Sequence, residues 1–203
     1  MKLILATRNP GKLREIQELL KKDGIEVLSQ DDFPDCPDSE EPYETYVENA
    51  RDKARLMAEY CRCWALADDS GLEVDALGGQ PGVLSARYAG PGATYEDNYK
   101  KILKELSGVP EAQRGAGFRC CMVLRHPDGK EFITEGFVPG RIITMPKGQG
   151  GFGYDPIFFL PEKNKTLAEL SLEEKNNISH RHRALMKMVP ILRRELGKGP
   201  AQG

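Results

Sequence analysis

The chain has 203 residues, of which 39% are hydrophobic and 30% charged, and its formal net charge is −2. This composition is typical of a globular protein, and the weak negative charge argues against a broad basic face that binds nucleic acid. No apolar run approaches the roughly 20 residues that cross a bilayer. The apolar run near the N-terminus is shorter than the core of a signal peptide, so we expect a cytoplasmic protein with no nucleic-acid or membrane partner.

The cysteine pattern gives no sign of a disulfide framework or a zinc site. The five cysteines are Cys36, Cys61, Cys63, Cys120 and Cys121. An odd number in a chain expected in the cytoplasm argues against disulfides, and the paired CxxC spacing of zinc ligands is absent. The last two lie in an apolar run, so we expect at least one of them to be a small buried hydrophobic side chain. We assign none of the five a catalytic role.

The first elements in chain order are a strand over residues 2–6, the turn "TRNPGK" over residues 7–12, and a helix over residues 13–22 with apolar side chains at helical spacing. A helix start offers free N–H groups and partial positive charge, and Arg8 and Lys12 add full charges, so the turn predicts an anion-binding site. A surface turn with two solvated basic residues is the alternative. The candidate anion-binding residues are Thr7, Arg8, Asn9, Pro10, Gly11 and Lys12.

The next elements are a strand, a loop and a long helix. The segment "IEVLS" predicts a second strand, and the acidic, proline-rich stretch over residues 30–42 predicts a loop. Residues 44–60 predict a helix that carries Thr45, Asn49 and Lys53 on one face.

A short strand, "CWALAD", then ends at adjacent carboxylates, because "ADDSG" places Asp68 and Asp69 before a glycine turn. Ligands gather at the carboxyl ends of strands in open α/β sheets, and Mg²⁺ prefers carboxylate oxygens. One carboxylate can hold the metal while its neighbour accepts a proton from an attacking water. Glu40 or Glu41 from the acidic loop could complete the site. A solvated turn and an acidic first helical turn are the alternatives.

The middle of the chain is rich in glycine up to residue 94, where Thr94 is the expected N-cap of a helix over residues 94–106. Two β-rich runs joined through "PDG" at residues 127–129 predict a hairpin. Early βα units followed by a hairpin predict an α/β protein with a mixed sheet.

Two further segments carry candidate binding residues. In "GGFGYDP" the glycines clear space beside the flat faces of Phe152 and Tyr154 and the acceptor Asp155, which suits a stacked purine, although a bulged strand entry with two core aromatics is equally consistent. A C-terminal helix is predicted from Ser171 or Ser179 to Leu196. The basic residues at its start are Lys175, His180 and Arg181.

The whole chain resembles a known family. The motifs "LATRNPGK", "ENARDKA", "ADDSGLEVDALGGQPGVLSARYAG", "GQGGFGYDPIF" and "KNNISHR" occur here in this order. Together they resemble the non-standard purine nucleoside triphosphate pyrophosphatases, also called inosine triphosphate pyrophosphatases or dITP/XTP diphosphatases. The resemblance implies one such domain over residues 1–197 and a disordered tail over residues 198–203. It also implies an elongated mixed α/β sheet with flanking helices and two lobes around a central substrate cleft.

The resemblance also implies an activity and an assembly. ITP, dITP and XTP would be hydrolysed between the α- and β-phosphates to the monophosphate and pyrophosphate, which would clear deaminated purines from the nucleotide pool. The enzyme would depend on Mg²⁺ and form a homodimer. Asp69 would be the catalytic proton acceptor, and Glu41, Asp68 and Asp69 the metal ligands, with Glu40 in place of Glu41 if the loop register differs by one residue.

The implied substrate contacts extend along the chain. They are the turn residues 7–12 and Lys53 for the phosphates, together with Ser70, Phe152, Gly153, Tyr154, Asp155, Lys175, His180 and Arg181. Two rival interpretations remain at this point. One is a related pyrophosphatase of the septum-inhibition type that acts on pyrimidine nucleotides. The other is a nucleotide-binding regulatory module without catalysis, against which the intact Asp68–Asp69 pair argues.

Overall fold

The computed structural model describes residues 2–197, and within that range it contains seven strands and five α-helices. The strands are β1 Lys2–Leu5, β2 Glu26–Ser29, β3 Ala65–Val74, β4 Gly115–Arg125, β5 Glu131–Ile142, β6 Phe158–Leu160 and β7 Lys165–Thr166. The helices are α1 Pro10–Lys21, α2 Tyr46–Cys61, α3 Tyr95–Glu105, α4 Leu172–Asn176 and α5 His180–Leu196. The tail predicted over residues 198–203 lies outside the described residues, and the single domain over residues 1–197 stays a prediction.

The strands form a mixed sheet, as the sequence predicts. Within the described residues its order is β2-β1-β3-β4-β5-β6-β7. β1 pairs in parallel with both β2 and β3, with Ile4 opposite Ala65, whereas β6 pairs antiparallel with β5 and β7. Among residues 2–197, no helix combines the length and the apolar character that a membrane crossing would require.

The chain divides into two compact units, and β3, β4 and β5 each contribute residues to both. The described part of the first unit consists of residues 2–69, 120–136 and 181–197. The second unit consists of residues 70–119 and 137–180.

In the first unit, successive strand residues face two separate cores because side chains alternate along a strand. Leu5 and Leu66 belong to the apolar cluster that includes residues of α1 and α5. Ile4 and Ala67 belong instead to a cluster built with the alanine-rich face of α2. Cys120 and Cys121 divide in the same way and are both buried, which confirms the prediction that at least one is a small core residue.

The second unit has its own core. Leu72 and Phe118 of the sheet pack there with Ile102 of α3 and with Tyr154 and Phe158 from the segment that enters β6. Helix α3 begins at the predicted cap, because the Thr94 side chain accepts the N–H of Asp97 and the Asp97 side chain accepts the N–H of Thr94. The predicted hairpin is also present: His126 N donates to Lys130 O at 2.9 Å across the turn.

Two predicted boundaries are wrong. Helix α1 begins at Pro10 and not at residue 13, because Asn9 caps the helix and Pro10 suits its first position. The strand expected to end at the carboxylates continues as β3 from Ala65 to Val74, so Asp68 and Asp69 lie in its interior. Leu72 and Val74 are fully buried beyond the polar stretch, and packing these side chains keeps the chain extended. A helix begins at each of the two predicted starts of the C-terminal helix. The short helix α4 follows the N-cap Ser171, and the separate helix α5 begins at His180, directly after Ser179.

Candidate active site

The start of α1 is capped from within the chain. Asn9 is the N-cap, and its Oδ1 accepts the N–H groups of Gly11 at 2.9 Å and Lys12 at 3.2 Å. Pro10 has no N–H, and Leu13 N donates to Asn9 O at 3.0 Å. The free N–H groups expected at this helix start are therefore engaged, and Lys12 is left to supply the positive charge.

Arg8 points to the acidic loop that follows β2. Its guanidinium donates to Asp38 Oδ1 at 2.9 Å and to Asp31 Oδ1 at 3.0 Å. Gln30 Nε2 donates to the same Asp38 oxygen at 2.7 Å. The two carboxylates raise the pKa of Arg8, chiefly through these hydrogen bonds. In this structure Arg8 orders a loop, and its assignment to phosphate binding stays a prediction.

Asp68 is buried between cationic side chains from two helices. Its Oδ2 lies 3.1 Å from Lys12 Nζ and 3.2 Å from Arg181 Nη2, and its side chain is fully inaccessible to solvent. Burial by itself would raise the pKa of Asp68, but the charges of Lys12 and Arg181 outweigh it and hold that pKa well below its usual range. Asp68 is therefore ionised at neutral pH, and it orders two basic side chains.

Arg181 also pairs with Glu15, a residue that the sequence reasoning missed. The guanidinium donates to Glu15 Oε2, and Arg181 and Glu15 are 2% and 3% exposed, respectively. The sequence signal that could have identified Glu15 is its place on the buried face of α1 beside Ile16 and Leu20, where a charged residue requires a partner. The nearby carboxylates Glu15 and Asp68 overcome the effect of burial and raise the pKa of Arg181.

Asp69 belongs to a second ion cluster, which α2 supplies. Lys53 Nζ lies 3.2 Å from Asp69 Oδ1 and 2.8 Å from Glu41 Oε1, so one ammonium is shared by two carboxylates. Asn49 Nδ2 donates to the other Asp69 oxygen at 3.4 Å. Burial raises the pKa of Asp69, and Lys53 and Lys12 oppose part of that rise. The face of α2 identified in the sequence thus meets Asp69 at two positions one turn apart.

Asp68 and Asp69 face opposite sides of the sheet, because they are consecutive residues of β3. Asp68 contacts side chains of α1 and α5, and Asp69 contacts side chains of α2. Within the described part of the chain, no three His, Cys, Asp or Glu side chains form a group that could hold a metal ion. The assignment of Glu41, Asp68 and Asp69 to one ion therefore stays a prediction.

Glu41 and Asp69 by themselves fit a cation. Their oxygens already bind one positive charge, the ammonium of Lys53, from two sides. Carboxylate oxygens are also the ligands that Mg²⁺ prefers. The neighbouring Glu40 is exposed, whereas Glu41 is half-buried and has the unusual φ of +50°. Of the two glutamates, Glu41 is the one that the structure brings to Asp69 through Lys53.

The second unit contains a separate cluster around Asp155. Its Oδ2 accepts the N–H of Phe152 at 2.8 Å and lies 2.5 Å from Lys175 Nζ, with both charged side chains 4% exposed. The Lys175 ammonium also lies 4.6 Å from the centre of the Phe152 ring, which is half-buried. Phe152, Asp155 and Lys175, predicted from separate motifs, are therefore brought together.

Three other predicted residues of the second unit lie elsewhere. Tyr154 is a core residue whose hydroxyl donates to Ser85 O at 2.7 Å, so its ring offers no open face. Burial also raises the pKa of that hydroxyl. His180 is buried and stacks on Phe118 with ring centres 4.7 Å apart. Ser70 is half-buried in β3.

The Asp155 cluster depends on space at Gly151. A Cβ added there would lie 2.0 Å from Asp155 Oδ2, whereas one added at Gly153 would meet nothing within 4 Å, and both glycines have a positive φ. Gly151→Ala should therefore lower the melting temperature more than Gly153→Ala, which carries only the backbone cost of about 1–2 kcal/mol. Thermal unfolding of the two variants measures the difference. An equal fall in melting temperature for the two variants would contradict a steric requirement for glycine at position 151.

Comparison with known proteins gives matches along most of the chain. The family model described as "Ham1 family" matches residues 3–191. A protein of Geobacter sulfurreducens named dITP/XTP pyrophosphatase is 53% identical over 184 residues, which are 91% of this chain and 92% of that protein. One of the same name from Desulforamulus reducens is 50% identical over 194 residues, 96% of each chain. The solved structure of a HAM1 protein from Coxiella burnetii superposes with a TM-score of 0.86 at 42% identity, covering 96% of this chain and 99% of that one.

Proposed function

The chain belongs to the Ham1 family, and from that premise we propose that it is a nucleoside triphosphate pyrophosphatase that hydrolyses dITP, XTP and ITP to the monophosphate and pyrophosphate. The relatives that match nearly the whole chain carry the name dITP/XTP pyrophosphatase. The observation that carries the proposal is the Lys53 ammonium held between the buried carboxylate Asp69 and Glu41, because it unites a candidate base, a cation site and a phosphate ligand.

The cationic side chains of the first unit suit a polyphosphate. Lys12 and Lys53 are both partly accessible, at 14% and 11%, while carboxylates hold their ammonium groups in place. A phosphate oxygen that displaces one carboxylate contact would find a positive charge already oriented, so little reorganisation is required during the reaction. In the proposed mechanism these two lysines bind the triphosphate and stabilise the charge that develops on the departing pyrophosphate.

Glu41 and Asp69 would hold Mg²⁺, with Asp68 oriented toward Lys12 and Arg181. When bound, the ion would neutralise phosphate charge and acidify a coordinated water. Asp69 would accept the proton of the water that attacks the α-phosphorus. Burial raises the pKa of Asp69, and a carboxylate with a raised pKa is a stronger base than an exposed one. Asn49 and Lys53 fix its two oxygens for that role.

Phe152 and Lys175 are the candidate contacts for the purine. The half-buried Phe152 ring would stack on the base, and Lys175 would donate to the 6-oxo oxygen that distinguishes hypoxanthine and xanthine from adenine. Adenine presents an amino donor at that position, and a donor facing a donor in a dry site costs orders of magnitude in specificity. His180 and Arg181 remain proposed as further determinants of this selectivity. A cytoplasmic location and a homodimer complete the proposal.

The test is pyrophosphate release from a nucleotide panel. We expect turnover of dITP, XTP and ITP that depends on Mg²⁺, and much slower turnover of dATP, dGTP, dTTP and UTP. Preference for dTTP or UTP would replace the proposal with a pyrimidine-directed pyrophosphatase. Nucleotide binding without pyrophosphate release would indicate a regulatory module.

The two adjacent glutamates offer a matched pair of variants. Glu41→Gln should raise the Mg²⁺ concentration for half-maximal activity by about tenfold or more, because it removes one carboxylate from the proposed cation site. Glu40→Gln should leave that concentration unchanged, since Glu40 is exposed. Activity measured over a Mg²⁺ titration separates the two. The reverse result would show that Glu40 is the ligand.

A further inference from the structure

Asn49 connects two parts of the proposed cation site through one buried amide. The residue is 0% exposed, and its Oδ1 accepts the N–H of Tyr43 at 3.0 Å. Its Nδ2 donates to the carbonyl of Tyr43 at 3.0 Å and to Asp69 Oδ2 at 3.4 Å. Only this orientation of the amide satisfies all three contacts, because the exchanged orientation would place its oxygen against a carbonyl and a carboxylate.

The clamp on Tyr43 determines where Glu41 lies. Tyr43 is two residues after Glu41, and Ser39 is two residues before it. Ser39 Oγ donates to Asp52 Oδ2 at 2.7 Å and accepts the N–H of Glu41 at 3.3 Å. Helix α2 therefore holds the loop on both sides of Glu41.

The backbone of Glu41 shows why such a clamp is needed. Its φ of +50° lies in the left-handed region, which residues with a side chain rarely adopt. A conformation of this kind persists only where the surroundings fix it, and such conformations gather at functional sites. Without the contacts to Asn49 and Asp52, the loop would relax toward ordinary backbone angles and Glu41 would leave Lys53.

The same amide orients Asp69. Asn49 and Lys53 are four residues apart on α2, so they lie on one face of the helix and contact different oxygens of the Asp69 carboxylate. We infer that Asn49 is a positioning residue that holds the Glu41 loop and the Asp69 carboxylate at a fixed separation for a divalent cation. This inference rests on the proposed function, since it concerns the cation site assigned there to Glu41 and Asp69.

Binding of Mn²⁺ alone to the full-length protein tests the inference. Free Mn²⁺ measured by electron paramagnetic resonance gives the Kd without nucleotide and without turnover. Asn49→Ala should raise that Kd by about 10-fold to 100-fold, the usual effect of removing a group that orients metal ligands. At saturating Mg²⁺ the kcat for dITP should fall much less than the Kd rises. A wild-type Kd in Asn49→Ala would overturn the inference.

Asn98 provides a matched control in the other unit. It is 2% exposed, and it follows the N-cap Thr94 by four residues, as Asn49 follows the N-cap Thr45. Its amide also clamps a loop, because Asn98 Oδ1 accepts the N–H of Ala89 at 2.7 Å and Asn98 Nδ2 donates to Ala86 O at 3.2 Å. Asn98→Ala should lower the melting temperature about as much as Asn49→Ala and leave the Kd for Mn²⁺ unchanged. An equal rise in Kd for both variants would show a general effect of destabilisation and overturn the inference.

A second variant keeps the test decisive if Asn49→Ala does not fold. Ser39→Ala removes the other clamp at the partly exposed side of the loop, and it should raise the Kd for Mn²⁺ severalfold. An unchanged Kd in Ser39→Ala, with Asn49→Ala unfolded, would overturn the inference. Failure of the proposed function can be told apart from failure of this inference. In that case the wild-type protein would bind Mn²⁺ but release no pyrophosphate. A wild-type protein that binds no Mn²⁺ would overturn the cation site and the positioning role together.

Discussion

Asp69→Asn is expected to lower kcat for pyrophosphate release from dITP by about 10²-fold to 10⁴-fold, the usual contribution of a general base. Asparagine has nearly the same shape but cannot accept the proton of the attacking water. Lys53 retains Glu41 at 2.8 Å, so the ion cluster keeps a counter-charge and the fold should persist. Steady-state kinetics, with circular dichroism to verify folding, measures the effect.

A Mg²⁺ titration of the same variant separates two roles of Asp69. If Asp69 acts as the base, kcat stays low at saturating Mg²⁺. If it only holds the ion, excess Mg²⁺ restores turnover. Asp128→Asn is the control, because Asp128 is an exposed aspartate in the turn between β4 and β5 and should retain wild-type kcat. Wild-type turnover in Asp69→Asn would remove the residue from the mechanism.

Arg181→Met is expected to lower the free energy of unfolding by about 3–5 kcal/mol, the usual cost of breaking a buried ion pair from one side. The guanidinium is 2% exposed and joins Glu15 to Asp68, so its loss leaves buried carboxylates with less positive charge. For a chain of this length, the melting temperature should fall by about 6–20 °C. Urea unfolding and thermal unfolding both measure the change.

The pH dependence of Arg181→Met gives a second signature. In the wild-type protein, Lys12 and Arg181 hold the pKa of Asp68 below its usual range, and a depressed carboxylate pKa stabilises the fold above the pKa of the unfolded chain. Without the guanidinium the pKa of Asp68 should rise. The difference in free energy of unfolding between the wild type and Arg181→Met should therefore be largest at neutral pH and shrink as the pH falls.

Two further variants control this experiment. Arg183→Met removes an exposed arginine two residues along α5 and should change stability by less than about 1 kcal/mol. The double variant Glu15→Gln/Arg181→Met should be more stable than Arg181→Met, since it removes one of the stranded charges. A single variant as stable as the wild type would contradict the structural role of the buried pair.

The sequence by itself determined the order of elements and the family. Helical spacing, strand alternation and cap residues are local signals, so α1, α2, α3 and the hairpin between β4 and β5 lie within about three residues of the predicted positions. The predicted cap at Thr94 and the predicted helix start at Ser171 follow from residues no more than three positions away.

Only the tertiary structure decided which charges meet. Arg181 and Glu15 are 166 residues apart, and Arg8 turns to an acidic loop more than 20 residues away. The sequence treated Asp68 and Asp69 as one acidic pair at a strand end. Continuation of β3 to Val74 sends them to opposite faces with different partners.

The same holds for residues whose role depends on burial. The sequence suggested that Tyr154 presents an aromatic surface, but packing places it in the core. It placed Asn49 on one face of a helix, but only the structure shows that its amide binds the backbone of Tyr43. Local patterns reflect the chain's own hydrogen bonds and periodicity, which a short segment contains. The partner of a side chain, its exposure and its pKa depend on distant segments, and those become neighbours only when the chain folds.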